Sequence, residues 1–399
     1  MLKSARTRRD FLKAAGLGLL SLPAVLASCA RSVPRSEAPE CLVYVGTFVL
    51  AGSESLFLYR LNMATGALTL VSALDAGGKP GFLTLDAKRQ HLYTATRVDE
   101  FAGVQGGAVS AFAIDRSTGA LRLLNRQSSA GVGPCYISLD HSDRCALVAN
   151  YNSGSISSLP IQADGQLRSP ASTDQHRGSG PNRSRQEGPH AHCIIADPSN
   201  RFAFAVDLGL DTVFAYALDA PTGMLRLRDT PAFRAQPGAG PRHLTFHPNA
   251  RFAYLTNEIA STVTALAYDA AQGTFREIQT LSALPADFTA TNTLADVHVA
   301  PNGRFVYVSN RGHNSVAVFA IDSKSGRLTL VQHVATQGKT PRNFGLDPAG
   351  RMLLVAHQDS DSIVVFRIDS RSGRLTPTGV SVAVPTPVCV QIVEDFTRG

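Results

Sequence analysis

From residue 41 onward, apolar and polar residues alternate in short runs broken by Gly, Pro, Asn and Asp. Residues 295–332 show the pattern in full. Asp296-Val297-His298-Val299 leads to a Pro-Asn-Gly turn, then Arg304-Phe305-Val306-Tyr307-Val308-Ser309, a polar turn, Ser315-Val316-Ala317-Val318-Phe319, a Ser-Gly turn and Leu328-Thr329-Leu330-Val331. A period of two in β-branched and aromatic residues, punctuated by turn formers, predicts four strands joined as hairpins. The last hairpin recurs as Thr65-Gly66-Ala67-Leu68, Thr118-Gly119-Ala120-Leu121, Asp164-Gly165-Gln166-Leu167, Thr222-Gly223-Met224-Leu225, Gln272-Gly273-Thr274-Phe275, Ser325-Gly326-Arg327-Leu328 and Ser372-Gly373-Arg374-Leu375. Seven copies about 50 residues apart indicate a propeller or a solenoid. Four strands in each of seven units predict an all-β, seven-bladed β-propeller. The first strand, Leu42-Val43-Tyr44-Val45-Gly46, matches the second strand of the other units, and Pro387-Val388-Cys389-Val390-Gln391 matches the first. The terminal strands are therefore expected to pair in one blade and close the ring, which argues against a solenoid.

Composition narrows the picture. With 44% apolar and 17% charged residues the chain is far from disorder, and the absence of tryptophan excludes WD-type repeats. The net charge of +7 raises nucleic acid as a partner. Much of that charge lies in residues 1–28, where Lys3, Arg6, Arg8, Arg9 and Lys13 face only Asp10. A basic start, an apolar run from Ala14 to Ala27 and then Cys29 read as an export signal, too short to span a bilayer. Thr7-Arg8-Arg9-Asp10-Phe11-Leu12-Lys13 resembles a twin-arginine translocation signal, and Leu26-Ala27-Ser28-Cys29 resembles a lipobox. The expected organisation is a signal peptide over 1–28, a linker over 29–40 and the propeller over 41–395. The twin-arginine export machinery is an expected partner, and Cys29 a lipid anchor in the periplasm. Removal of the signal leaves the mature chain near +3, too little for a nucleic-acid argument, and a monomer is expected. Five cysteines follow Cys29 without CxxC spacing, so buried thiols are expected rather than a disulfide framework.

Aligning the units gathers the polar residues. Counting back from the hairpin prolines places His192, Arg242, Ala295 and Arg342 at one position and Cys193, His243, Asp296 and Asn343 at the next. The second strands end in Thr47, Thr96, Asn150, Asp207, Asn257, Asn310 and His357, followed by residues including Arg97, Tyr151, Glu258, Arg311 and Gln358. In an antiparallel hairpin the start of one strand lies beside the end of the next, so these residues share one rim around the axis. The long insertion from His176 to His192 precedes that rim and could cover it. The rim predicts a concave polar pocket for a small anionic or carbonyl ligand. Asn150, Asn257 and Asn310 have a second reading as turn caps, and Asp296 and His298 as satisfied channel residues. His190 and His192 resemble a metal pair, but no third ligand is evident. A polar axial ring would suit calcium, yet no metal is expected. No GxSxG, HExxH, P-loop or GxGxxG string occurs, which favours direct attack by water over a serine nucleophile.

The chain resembles the seven-bladed lactonase family of the bacterial 6-phosphogluconolactonase type, which includes the fungal carboxy-cis,cis-muconate cyclase. The matching strings include Ala149-Asn150-Tyr151-Asn152-Ser153-Gly154-Ser155, Arg185-Gln186-Glu187-Gly188-Pro189-His190-Ala191-His192, Asp207-Leu208-Gly209-Leu210-Asp211 and Gly240-Pro241-Arg242-His243. Asn257-Glu258, Ser309-Asn310-Arg311-Gly312-His313 and Lys339-Thr340-Pro341-Arg342-Asn343-Phe344 continue the match. The resemblance implies a cofactor-free lactone hydrolase whose active site is carried by His190, Arg242, Glu258 and Arg311. The substrate would be 6-phosphogluconolactone or, for an exported protein, glucono-1,5-lactone. His190 or Glu258 would act as base for water. Arg242 and Arg342 would hold the substrate and its oxyanion, and His192 and Asn257 would orient the ring. Asn150, Asp207, His243, Asn310, Asn343 and Gln358 would add contacts. The alternatives are an intramolecular lyase of the muconate cyclase type and a non-catalytic binding propeller of the cell envelope.

Overall fold

Each repeat folds as one antiparallel blade of four strands, with a short fifth strand, Phe233–Arg234, added to one of them, and six of the blades run in chain order from the axis outward. The computed structural model describes residues 39–398; the arginine pair, the apolar run and Cys29 lie outside the described residues. Blade 1 begins with Lys79–Leu85, blade 2 with Pro134–Leu139 and blade 3 with Ala191–Ala196. Blades 4, 5 and 6 begin with Pro241–Phe246, Thr293–Val299 and Pro341–Leu346. Blade 7 is shared. Its innermost strand is the C-terminal Pro387–Glu394, which pairs antiparallel with the N-terminal Glu40–Thr47, and Leu56–Asn62 and Leu68–Leu74 complete it outward. The innermost strands contact their neighbours all the way round, including Pro387–Glu394 against Lys79–Leu85. The ring is closed as the terminal strands predicted, by antiparallel pairing of the C-terminal strand with the N-terminal one.

Buried side chains divide among the seven blade-to-blade interfaces, so the core is a ring of wedges rather than one mass. Between blades 7 and 1 it holds Leu42, Tyr44, Leu83 and Phe112, and between blades 5 and 6 Tyr307, Val316, Phe344 and Leu353. Two-sided burial explains the run of apolar residues in the second strands, such as Met352–His357, which is buried throughout. The repeating hairpin glycine has a role in the same interfaces. Gly119, Gly165, Gly326 and Gly373 all have φ between +73° and +83°, a left-handed turn that favours glycine. Their carbonyls accept hydrogen bonds from Tyr44, Tyr93, Tyr254 and Tyr307 of the preceding blade. The motif that marked the repeat thus latches one blade to the next. Cys41, Cys135, Cys145, Cys193 and Cys389 are free, buried thiols, as expected.

Candidate active site

Every innermost strand breaks register near its start. The break falls between Pro80 and Phe82, Pro134 and Tyr136, Ala191 and Cys193, and Pro241 and Leu244 in blades 1 to 4. It recurs between Leu294 and Val297 and between Pro341 and Asn343, and in blade 7 opposite Gly46 and Thr47. A bulge leaves its extra residue out of the ladder and re-aims that side chain. The residues so released include Cys135, His192, Arg242 and Arg342. Repetition of one bulge in different blades therefore brings them to one rim.

Glu258 is the hub of this rim and is 3% exposed. Its Oε2 accepts from Arg242 Nη1 at 2.6 Å and faces Arg311 Nη2 at 2.8 Å, and its Oε1 is held by Arg185. Arg242 also donates to the Ala295 carbonyl at 3.0 Å and contacts His192 Nε2. Arg342 bonds Gln358 Oε1 at 3.3 Å and lies over the Phe48 ring, which Arg97 shares. A cleft of about 590 Å³ opens beside Phe48 and Arg97, with Lys79, Gln105 and Asn152 on its walls.

Burial alone would raise the pKa of Glu258, but Arg311, Arg242 and Arg185 outweigh it and hold the carboxyl well below the usual range. Glu258 is therefore a fixed counter-anion and cannot relay a proton near neutrality. That environment favours an electrostatic role for Glu258 over the expected role as base. Burial pushes Arg311 down to about 10, and Glu258 only partly offsets this. Arg342 is depressed by burial and then by Arg242, Arg311 and Arg97. Three guanidinium groups thus contact one carboxylate, with Arg342 close enough to Arg242 and Arg311 to feel their charge. The excess of buried positive charge favours an anion or a developing oxyanion. His192 is also driven well below its usual pKa, by burial and by Arg242, and stays neutral.

The insertion before blade 3 forms a strap over this rim. His176 anchors its start, bonding Asp207 Oδ2 at 2.6 Å and the Tyr216 hydroxyl at 2.9 Å. Gln186 Nε2 donates to the Leu208 carbonyl at 2.8 Å. The strap then rests on two glycines: a Cβ on Gly209 would lie 1.9 Å from the Gly188 oxygen, and one on Gly154 2.2 Å from the Pro189 oxygen. Seated in this way, it delivers Arg185 to Glu258 and stacks His190 on Tyr151, with ring centroids 4.5 Å apart. His190 Nδ1 lies 3.1 Å from the Tyr151 carbonyl, which requires a proton on Nδ1. Nε2 faces Glu187, whose side chain is 61% exposed, at 3.2 Å.

The expected residues divide into two groups. His190, His192, Arg242, Glu258, Arg311, Arg342 and Gln358 meet at the rim. Asn150, Asn257 and Asn310 are buried and donate within the scaffold, to the Ser129 carbonyl, to Thr262 and Thr264, and to the Ala283 carbonyl. Asp207 is spent on His176 and the His190 backbone, and His243 and Asn343 on Asp296. These six are buried and engaged in the scaffold, although Asn150 Oδ1, Asn257 Oδ1 and His243 Nε2 have no partner among the described residues. Tyr151, Arg185, Arg97 and Phe48 were not among the expected site residues. Only the position of Tyr151 and Arg97 after the second strands, and the placing of Arg185 in the insertion, signalled them.

A family model described as lactonase, 7-bladed beta-propeller, matches residues 42–392. A 6-phosphogluconolactonase of Bacillus subtilis (strain 168) is 40% identical over 348 residues, 87% of this chain and 97% of that protein. A 6-phosphogluconolactonase of Formosa agariphila is 33% identical over 310 residues, 76% of this chain and 86% of that one. The solved structure of a periplasmic gluconolactonase of Pseudomonas aeruginosa superposes with a TM-score of 0.83 at 32% identity, covering 89% of this chain and 99% of that one.

Proposed function

The chain belongs to the seven-bladed β-propeller lactonase family and is a lactone hydrolase of carbohydrate metabolism, and we propose that it opens a sugar 1,5-lactone at the arginine rim with His190 as base. The observation that carries this reading is the excess of guanidinium groups around buried Glu258, beside a histidine with one committed nitrogen. With Nδ1–H donating to the Tyr151 carbonyl, Nε2 holds the free lone pair once exposed Glu187 moves aside. Water attacks the lactone carbonyl carbon while Nε2 takes its proton. The carbonyl oxygen becomes an oxyanion facing Arg242, Arg311 and Arg342, which are already in place and need no reorganisation. Collapse breaks the bond to the ring oxygen, which leaves as a hydroxyl by recovering the proton from Nε2. The product is an aldonic acid, which ionises to the aldonate by releasing one proton to solvent, and the steps balance without a cofactor.

The substrate reading joins two features: export, expected from residues 1–28, and similarity to a periplasmic gluconolactonase. Together they favour glucono-1,5-lactone in the periplasm over its phosphorylated counterpart, with Cys29 as lipid anchor. The test is a pH-stat comparison of both lactones with wild type and Arg242→Ala. Turnover should fall at least a hundredfold in the variant, in line with losses of about 10²–10³ when an oxyanion donor is removed. Equal turnover by a variant with native circular dichroism would reject the assignment.

A further inference from the structure

A second cavity lies in the channel, away from the arginine rim. It measures about 290 Å³ and is walled by Phe82, Tyr136, Phe246, His243, Asp296 and His298. Asp296 is 2% exposed; its Oδ1 accepts from His243 Nδ1 at 2.8 Å, and its Oδ2 from His298 Nε2 at 2.9 Å and from Asn343. Asn343 in turn accepts from the Val390 amide at 2.7 Å. Asp296 thus ties blades 4, 5, 6 and 7 together.

That scaffold role uses one nitrogen of each histidine and leaves the other unexplained. A carboxylate only accepts, so each ring gives it an N–H, and the shared Asp296 fixes both tautomers. His243 carries its proton on Nδ1 and His298 on Nε2, which leaves lone pairs on His243 Nε2 and His298 Nδ1. His243 Nε2 is buried with no partner, and His298 Nδ1 makes no hydrogen bond among the described residues. No lysine or arginine lines the cavity, so the charge nearest these acceptors is the negative one of Asp296. The His298 side chain is 36% exposed, which leaves the cavity open on its side. Lone-pair acceptors, a neighbouring carboxylate and aromatic faces suit a cation that donates hydrogen bonds, in a cavity of the usual small-ligand form.

We infer that this cavity binds a small primary amine as its ammonium ion, donating to His298 Nδ1 with His243 Nε2 as second acceptor, and with its apolar body among Phe82, Tyr136 and Phe246. The titratable groups in the wall are Tyr136, His141, His243, Asp296 and His298. Burial holds His243 down to about 4 although Asp296 pulls the other way, so its Nε2 keeps the lone pair near neutrality. Burial also opposes a proton on His298 Nδ1, but Asp296 outweighs it and raises that pKa. Ammonium and proton therefore compete for one lone pair, and binding should strengthen as the pH rises and His298 loses its proton. The site is separate from the arginine rim and does not depend on the reaction proposed there.

The test is a ¹⁹F NMR titration of 4-fluorobenzylamine with the full chain at about pH 8, beside 4-fluorobenzyl alcohol and 4-fluorobenzoate. The amine should bind more tightly than either control by about tenfold or more, the share of one hydrogen bond to a charged group. Its affinity should fall by a similar factor in Thr245→Trp, which fills the cavity from its wall, and in His298→Phe, which keeps a ring but removes the acceptor. Circular dichroism checks that both variants are folded. Affinity should be unchanged in Arg342→Ala and lower at about pH 6. Absence of binding to the wild type, equal binding of the alcohol or the benzoate, or binding that survives in folded Thr245→Trp would each overturn the inference, as would its loss in Arg342→Ala.

Discussion

Glu258 and His190 show how environment divides two groups that share a rim and both have the chemistry of a base. Glu258 is enclosed by three arginines that favour its charged form, whereas His190 keeps one nitrogen at the open side. Substitutions should separate them. Glu258→Gln should lower stability by about 3–5 kcal/mol, the usual cost of leaving buried charges without their partner. It should leave the shape of the pH–rate profile intact. His190→Gln should melt within a degree or two of wild type, yet lose about 10²–10⁴ in kcat together with the limb of the profile that reports the base. Chemical denaturation paired with pH–rate curves distinguishes the two, and a shifted limb in Glu258→Gln would return the base role to the carboxylate.

Among elements, the strap and the repeated bulge decide which side chains reach substrate. The strap is positioned by contact rather than by secondary structure: Gly209 allows Gly188 to come too close for any side chain. Gly209→Ala should push the strap away, moving His190 and Arg185 together. Because misplacement by about 1 Å can cost 10²-fold, kcat/KM should drop ten- to a hundredfold while the blades, which do not depend on this contact, keep their circular dichroism. Normal kcat/KM in that variant would show that the strap does not set the catalytic geometry. The bulges have a different logic. They recur in all seven blades, and blade-specific residues at that one position make the rim: arginine in blades 4 and 6, histidine in blade 3 and cysteine in blade 2.

For the molecule as a whole, burying histidines in the channel and between blades makes stability depend on pH. Burial lowers His243 and His357 to about 4 and puts His192 well below its usual value. An unfolded chain binds protons at these sites near pH 6.5, so between about 6.5 and 4 the unfolded state takes up more protons and acidification costs stability. His298 acts in the opposite sense: its raised pKa adds stability below about 6.5 that fades as pH climbs through the raised value. The melting temperature should therefore be highest near neutrality and fall by several degrees towards pH 5, measured by calorimetry. A flat curve over that interval would contradict neutral burial of these histidines.

The repeat, the strand count per blade and the closure of the ring were all legible in the chain, since they rest on local properties. A period of two, a glycine that needs positive φ and terminal strands of complementary type are each visible within a few residues. The rim was legible as a set of positions, because antiparallel pairing fixes which strand ends lie together. Tertiary structure decided which members of that set face open space. Asn150 and Asn310 occupy rim positions but turn inward to backbone carbonyls, Asn257 turns inward to the Thr262 and Thr264 hydroxyls, and Glu258 is claimed by arginines from the strap and from blades 4 and 5. Arg185 and Tyr151 join the site only because the strap crosses from one blade to the next. Partnership between distant side chains depends on distances that folding sets, so alternation and spacing specify the frame while packing assigns each polar group its task.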